Sequence, residues 1–177
     1  IILGLLKPTN GSVNIDSVNI DKYDLKSYRK NIGLVSQNSM MFNLSLGDNL
    51  RLKNHDISDQ ILIKYINDFD LQSIFPHKTI DLNYEIDEST SNLSGGEKQR
   101  LALIRELVAN PDLLILDEVQ KIKTPGTLVT NAAKAMKSDF KIAMTGTPVE
   151  NSLMDLWCII DFCRPGLLFS AKDFSNK

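Results

Sequence analysis

The sequence predicts an α/β fold with a mainly parallel sheet, because short apolar strands alternate with amphipathic helices. The runs "LLIL" (113–116) and "KIAMT" (141–145) are short and largely apolar, as expected for strands buried on both faces of a parallel sheet. A polar segment rich in Asn, Asp and Lys, residues 48–91, is predicted to form a small helical subdomain beside that sheet.

The first elements follow from turn residues and apolar spacing. We expect residues 1–11 to be the end of a helix that a Lys-Pro turn and Gly11 close. Apolar and polar residues alternate over 12–20, which predicts a pair of strands with Asp16 and Ser17 at the bend.

The next elements lead to the polar segment and through it. Residues 24–31 predict a short helix, and "IGLVSQ" (32–37) predicts a strand that ends at the polar residue Gln37. Within the polar segment, "SDQILIKYINDF" (58–69) has the spacing of an amphipathic helix.

The stretch "LSGGEKQRLALIRELVANP" (93–111) predicts a longer helix. Ser94 and two glycines open it, and Asn110 with Pro111 ends it. Its predicted apolar face consists of Leu101, Ile104, Leu107 and Val108.

Two more helices are expected after the 113–116 strand, over residues 127–138 and 147–162. The second is predicted to start with Thr147 as cap, Pro148 in the first turn and Glu150 in a capping box. Its predicted core stripe consists of Val149, Leu153, Leu156, Trp157 and Ile160.

Composition excludes two classes of protein. The formal net charge of the 177 residues is −2, which is not the charge of a generally basic nucleic-acid binder. No apolar run approaches the roughly 18 residues that a transmembrane helix requires. We therefore expect a cytoplasmic protein with no membrane span of its own.

Two short stretches have the chemistry of a phosphate or metal site. Ser94, Gly95 and Gly96 open a helix, where free N–H groups and the helix dipole favour an anion. Asp117 and Glu118 follow a buried strand, at the sheet edge where α/β proteins bind ligands. On the residues alone, an ordinary glycine-opened helix and a solvated acidic turn stay open as alternatives.

Residues 1–118 resemble the nucleotide-binding domain of ABC transporters. "NLSGGEKQRLALIRELVANPDLLILDE" resembles the signature motif, signature helix and Walker B strand of that family, in order and at its spacing. "IGLVSQNSMMFNLSLGDNL" resembles the Q-loop region of exporters, and Glu88 matches an acidic residue that exporters place before the signature.

The ABC resemblance implies ATP and Mg²⁺ as ligands and assigns roles to residues. Ser94, Gly95 and Gly96 contact the γ-phosphate held by a second nucleotide-binding domain in a head-to-tail dimer, and Gln99 also belongs to the nucleotide site. Asp117 holds Mg²⁺, and Glu118 orients and polarises the attacking water. Gln37 reaches the Mg²⁺ or that water and senses a transmembrane domain. On sequence alone, Gln37 is equally well a polar residue that ends a strand.

Residues from about Leu113 to Phe174 resemble the Swi/Snf family of helicase-like DNA translocases. "DEVQ" (117–120) is similar to the Asp-Glu-Ala-Gln box of that family, and "MTGTPVENSLMDLW" (144–157) is similar to its next motif. This resemblance implies double-stranded DNA as partner. It also implies that Gln120 and the hydroxyls of Thr145 and Thr147 link the nucleotide state to movement on DNA. Thr147 is also explained as a helix cap.

The two resemblances meet at "LLILDE" and predict a P-loop ATPase fold that is incomplete. No Gly-x-x-x-x-Gly-Lys-Ser/Thr occurs in the 177 residues, so we expect the sheet to lack its phosphate-loop strand. We expect a partial ABC-type domain over 1–118 and a partial Swi/Snf-type segment over 119–177.

Three functions follow from these patterns. The first is a fragment of an ABC transporter ATP-binding subunit, located at the inner face of the cell membrane. The alternatives are a fragment of a Swi/Snf-type DNA translocase and an inactive chimeric product. In each case we expect the isolated chain to bind ATP weakly or not at all and not to hydrolyse it.

Overall fold

A computed structural model describes residues 1–36, 38–87, 93–117, 140–146, 148–149 and 153–175. The strands within this part are β1 (Asn14–Ile15), β2 (Val18–Asn19), β3 (Ile32–Val35), β4 (Leu113–Asp117) and β5 (Phe140–Met144). The helices within it are α1 (Leu25–Lys30), α2 (Leu46–Arg51), α3 (Asp59–Asp68), α4 (Gly95–Leu107), α5 (Leu153–Cys163) and α6 (Ala171–Ser175).

The three longer strands form a parallel sheet in the order β3-β4-β5. β4 lies in the centre, with Leu116 paired to Val35 on one side and to Ala143 on the other. Leu114 and Leu116 are completely buried, as expected for the middle strand of a parallel sheet. The predicted α/β class with a mainly parallel sheet is confirmed.

The predicted strand pair over residues 12–20 is confirmed as the antiparallel ribbon β1-β2. Asp16 and Ser17 at its turn both have positive φ, 47° and 65°. Two consecutive residues with positive φ give a turn whose twist matches that of the strands, and Asp tolerates this conformation well.

The prediction of a helix end over residues 1–11 is wrong, because these residues form turns and bends. Gly4 has a positive φ of 65°, which a right-handed helix does not allow. The guanidinium of Arg29 donates to the carbonyls of Leu3 (2.9 Å) and Gly4 (3.1 Å). The N-terminal segment is therefore held by α1 in a non-helical conformation.

The predicted helices over 24–31, 58–69 and 93–111 are confirmed as α1, α3 and α4. The α4 helix ends at Leu107, and Asn110 takes a positive φ of 50° after it. The predicted apolar face of α4 is buried, since each of its four residues is at most 6% exposed: Leu101, Ile104, Leu107 and Val108.

The prediction for α5 is partly wrong. Pro148 and Val149 are not helical, while Thr147, Glu150 and the predicted helix over 127–138 lie outside the described residues. Trp157 is buried as predicted, but Leu153 is 65% exposed. The helix packs on the core through Phe162, and Leu153 lies about half a turn round the helix from it.

One hydrophobic core extends across the point where the two resemblances meet. Phe162 of α5 belongs to the same buried cluster as Val35 of β3, Leu101 of α4 and Leu114 of β4. Ile159, one turn before Phe162, packs against that cluster. The segment after residue 139 is thus joined to the first 117 residues by packing as well as by strand pairing.

Candidate functional site

Two candidate site residues lie together at the carboxyl edge of the parallel sheet. Asp117 is the last residue of β4 and pairs in register with Met144 of β5. Thr145 follows directly, so a carboxylate and a hydroxyl stand at the ends of neighbouring strands, both partly buried. Oxygen ligands of this kind suit Mg²⁺, which is commonly bound by one or two carboxylates together with phosphate and water.

The other candidate residues open α4. Ser94 is the N-cap, and its hydroxyl accepts a hydrogen bond from the amide of Glu97 (3.3 Å). The carboxylate of Glu97 accepts in return from the amide and the hydroxyl of Ser94, both at 2.7 Å. This capping box fixes the first turn of the helix without contribution from the two glycines.

Gly95 and Gly96 lie on an open surface. A Cβ atom added at either position would meet no atom within 4 Å, so packing within this chain does not require glycine there. Both residues are exposed. Their amides are therefore accessible to a phosphate or to a partner protein that approaches without steric hindrance.

Glu97 determines the charge at this end of α4. Partial burial raises the pKa of its carboxyl, but hydrogen bonds from the side chain and backbone of Ser94, together with Arg100, outweigh burial and lower it. The carboxylate is thus ionised at neutral pH, where it stabilises the positive end of the helix dipole. An anion that binds at Gly95 and Gly96 must approach beside this negative charge.

Gln99 has a different environment from the residues that open the helix. Its side chain is only 4% exposed, whereas Gly95 and Gly96 face solvent. The assignment of Gln99 to a nucleotide site stays a prediction.

The structure places the candidate residues in two groups. The start of α4 lies against the 3₁₀ turn Gln72–Ile74, where the hydroxyl of Ser73 donates to Glu97 at 3.4 Å. Asp117 and Thr145 form the second group, at the sheet edge. Four other predicted site residues lie outside the described part of the chain: Gln37, Glu118, Gln120 and Thr147.

Among the described residues, no group of three or more His, Cys, Asp or Glu side chains is placed to hold a metal ion. Asp117 alone fits Mg²⁺ only if a phosphate and water complete the coordination. The chemistry of this edge thus favours a metal that arrives with a nucleotide over a metal bound by protein alone.

Sequence reasoning missed the role of Asn49, which is only 1% exposed. Its amide donates to the carbonyls of Phe42 (2.9 Å), Leu44 (3.3 Å) and Ser45 (3.1 Å), and its carbonyl oxygen accepts from the amide of Phe42 (2.8 Å). The side chains of Met40, Phe42 and Leu44 are 62%, 48% and 40% exposed beside this network. Asn49 lies in the exporter-like run 32–50, but the residues of that run do not indicate which backbone groups its side chain contacts.

Comparison with protein families shows two matches that overlap. The family described as "ABC transporter" matches residues 1–121, and the family described as "SNF2-related domain" matches residues 83–177. The chain belongs to both families. The shared residues, 83–121, contain α4, β4 and Asp117, which confirms that the two resemblances meet around the Asp-Glu pair.

Similar proteins fall into the same two groups. Human ATP-binding cassette sub-family B member 5 is 34% identical over 117 residues, which are 64% of this chain and 9% of that protein. Zorya protein ZorD of Escherichia coli is 53% identical over 64 residues, which are 36% of this chain and 6% of that protein. The chain therefore spans less than a tenth of the length of either relative.

A solved structure shares the fold. A bacterial Atm1-family ABC exporter with ATP bound superposes with a TM-score of 0.66 and 26% sequence identity, over 81% of this chain and 26% of that one. The predicted P-loop NTPase-type fold is thereby confirmed, and family membership implies a nucleotide as ligand. No helix within the described residues is long and apolar enough to cross a membrane.

Proposed function

We propose that residues 1–117 are part of the ATP-binding subunit of an ABC exporter, which couples ATP binding and hydrolysis to transport. The observation that carries this proposal is the combination of a capped α4 helix with open glycines and a central strand that ends in Asp117. The match to the ABC transporter family over residues 1–121 supports it.

The residue roles in this proposal follow the two groups at the site. Asp117 would hold Mg²⁺, which neutralises charge on the phosphates during transfer. Thr145 stands beside it with a hydroxyl that can donate to a phosphate oxygen or to water. Glu118 would polarise the attacking water and Gln37 would contact the metal or that water, as the resemblance implies.

The open surface at the start of α4 suits contact with a second subunit. Gly95 and Gly96 open to solvent on one surface, while Asp117 lies at the sheet edge. We propose that Ser94, Gly95 and Gly96 contact the γ-phosphate bound to a second nucleotide-binding domain in a head-to-tail dimer. A transmembrane domain would then dock on the exposed apolar side chains of Met40 and Phe42, at the inner face of the membrane.

An assay of ATP-dependent association tests this function directly. The chain is mixed with the ATP-binding domain of an ABC exporter, with and without Mg²⁺-ATP, and complex formation is followed by analytical ultracentrifugation. We expect a complex only with ATP, and we expect Ser94→Arg to abolish it. Ser27→Arg makes the same change at an exposed serine of α1 and should leave the complex intact.

The 177-residue chain by itself is expected to bind ATP weakly or not at all and not to hydrolyse it, because it contains no phosphate-loop motif. A steady-state phosphate-release assay with Mg²⁺-ATP checks this expectation. Turnover that requires Mg²⁺ and that Glu118→Gln removes would contradict it.

A second candidate function is ATP-dependent movement on double-stranded DNA. The SNF2-related match over residues 83–177 favours it. Fluorescence anisotropy with a double-stranded oligonucleotide separates the candidates. Binding that weakens steeply with salt supports the translocase, since such binding depends on phosphate contacts.

The third candidate, an inactive chimeric product, is tested on the messenger RNA. Amplification and sequencing across codons 112–120 show whether one transcript encodes both segments. A single transcript through this junction would show that both segments are expressed together, which argues against an artificial join.

A further inference from the structure

The carboxylate of Glu106 joins three parts of the protein that surround the candidate site. Glu106 lies in the last turn of α4, and its side chain is only 5% exposed. One oxygen, Oε2, accepts a hydrogen bond from the amide of Leu34 in β3 at 3.2 Å. The same oxygen forms an ion pair with the ammonium of Lys53, which follows α2.

A buried carboxylate is costly unless its charge is paired and its oxygens are hydrogen-bonded. Lys53 pairs with the charge and the amide of Leu34 adds a hydrogen bond, both at Oε2, so the burial of Glu106 depends on β3 and on the segment after α2 together. The amide of Leu34 is directed to Glu106 and not to β4. An added strand cannot use this amide, which blocks the edge of β3 in the way that inward-pointing charges protect sheet edges.

Two further contacts restrict the same region. The side-chain amide of Asn54, next to Lys53, donates to the carbonyl of Val108 at 2.8 Å. A Cβ atom at Gly33 would lie 3.3 Å from the Cβ of Glu106, so α4 and β3 are in close contact there. The end of α4 is thus fixed from the sheet on one side and from the α2 segment on the other.

The three elements that Glu106 connects each carry or lead to a candidate functional residue. β3 leads to Gln37, which follows Leu34 by three residues, and Ser94 caps the start of α4. The α2 helix contains Asn49, whose side chain binds the backbone of Phe42 in the segment with the exposed apolar side chains. We infer that Glu106 is a positioning residue that joins the carboxyl end of α4 to β3, which leads to Gln37, and to the segment after α2 as one unit. The functional part of this inference rests on the proposed ABC function.

Amide hydrogen exchange measured by NMR on the 177-residue chain tests the inference. Glu106→Leu fills a similar volume but offers no acceptor, and it should accelerate exchange of the Leu34 amide about tenfold or more relative to the Leu116 amide of β4. Glu106→Gln keeps an acceptor for Leu34 and should change that ratio less than about threefold.

Leu107→Ala is the matched control, because it removes packing from the same turn of α4 and leaves the acceptor in place. It should accelerate exchange at Leu34 and Leu116 to the same extent. The inference is overturned if Glu106→Leu leaves the ratio within twofold of the wild type, or if Glu106→Gln changes it as much as Glu106→Leu. Should Glu106→Leu not fold, Glu106→Met replaces it, because it also removes the acceptor of the Leu34 amide, and an unchanged ratio in that variant also overturns the inference.

The exchange experiment needs neither a nucleotide nor a partner. Its failure would remove Glu106 as a positioning residue and leave the proposed ABC function to the association assay. If the association assay fails instead, only the proposed function is contradicted. The exchange ratio remains the test of the connection of α4, β3 and the α2 segment through Glu106.

Discussion

Residues 1–117 and residues 140–175 differ in how completely they bury their apolar side chains. The first region supplies nearly all of the hydrophobic core, whereas Trp157 and Phe162 are the large apolar residues that the described part of the second region buries. Six large apolar side chains of the second region are exposed by 43% or more: Phe140, Met144, Val149, Leu153, Leu167 and Phe169.

This difference shows that a strand can pair with a sheet although the apolar side chains of its region stay exposed. β5 pairs with β4 over five residues in parallel register, because an apolar strand next to a ready strand edge gains ladder hydrogen bonds. Burial requires a further surface, and within the described residues no strand pairs with the other edge of β5. A segment from a second family can therefore continue the sheet of the first while much of its own apolar surface stays uncovered.

The largest expected effect comes from the residue that joins the two regions in the core. Phe162→Ala should destabilise the chain by about 3–5 kcal/mol, since Phe162 is 1% exposed and packs in the shared cluster. Phe169→Ala, at a position 67% exposed, should change stability by less than about 0.5 kcal/mol. Urea denaturation followed by circular dichroism compares the two, and equal effects would contradict a shared core.

Two glycines of the first region should respond in opposite directions. Gly33→Ala places a Cβ 2.7 Å from a methyl carbon of Leu114 and 3.1 Å from Pro111, and we expect it to cost about 1–3 kcal/mol. Gly96→Ala meets no neighbour and should be neutral or stabilising by less than about 1 kcal/mol. The same urea titration checks both. A clear loss of stability in Gly96→Ala would show that the start of α4 is more crowded than the structure indicates.

The smallest expected effect concerns the capping box of α4. Ser94→Ala should cost about 1 kcal/mol at neutral pH, because the cap and its hydrogen bonds to Glu97 are lost. The folded state lowers the pKa of Glu97, so its contribution to stability is present above the unfolded pKa and is lost as pH falls through the folded pKa. The difference between wild type and Ser94→Ala in urea midpoint should thus shrink in acid. A difference that grows with acidity would reverse this assignment.

Periodic patterns in the sequence predicted a helix and its buried face correctly where the apolar residues form a single stripe. The α4 helix and its four buried residues follow from apolar spacing together with start and stop signals. The face of α5 could not be predicted in the same way. Spacing identifies an apolar stripe, but the choice between Leu153 and Phe162 depends on where β5 places the helix against the core.

Some residues of the candidate site could be predicted from the sequence, and others could not. Asp117 and Thr145 meet at one edge because the carboxyl ends of parallel strands always do, which a sequence can indicate. Asn49 and Glu106 act through contacts with residues far away or with backbone groups, and no local pattern indicates them. The prediction of a helix end at the N-terminus was wrong because Gly4 has a positive φ and Arg29 binds the carbonyls of Leu3 and Gly4, and the apolar pattern reveals neither feature.

The central claim is that the ABC-type and SNF2-type regions fold as one cooperative unit around β4. Trp157, the single tryptophan of the chain, lies buried in α5 of the SNF2-type region, so its fluorescence reports on that region alone. Circular dichroism at 222 nm (the helix band) mainly reports on the helices of the ABC-type region, which holds most of the described helical residues. In one urea titration followed by both signals, we expect coincident transitions with the same midpoint and slope. A fluorescence transition that is complete while the dichroism is still native would contradict the claim.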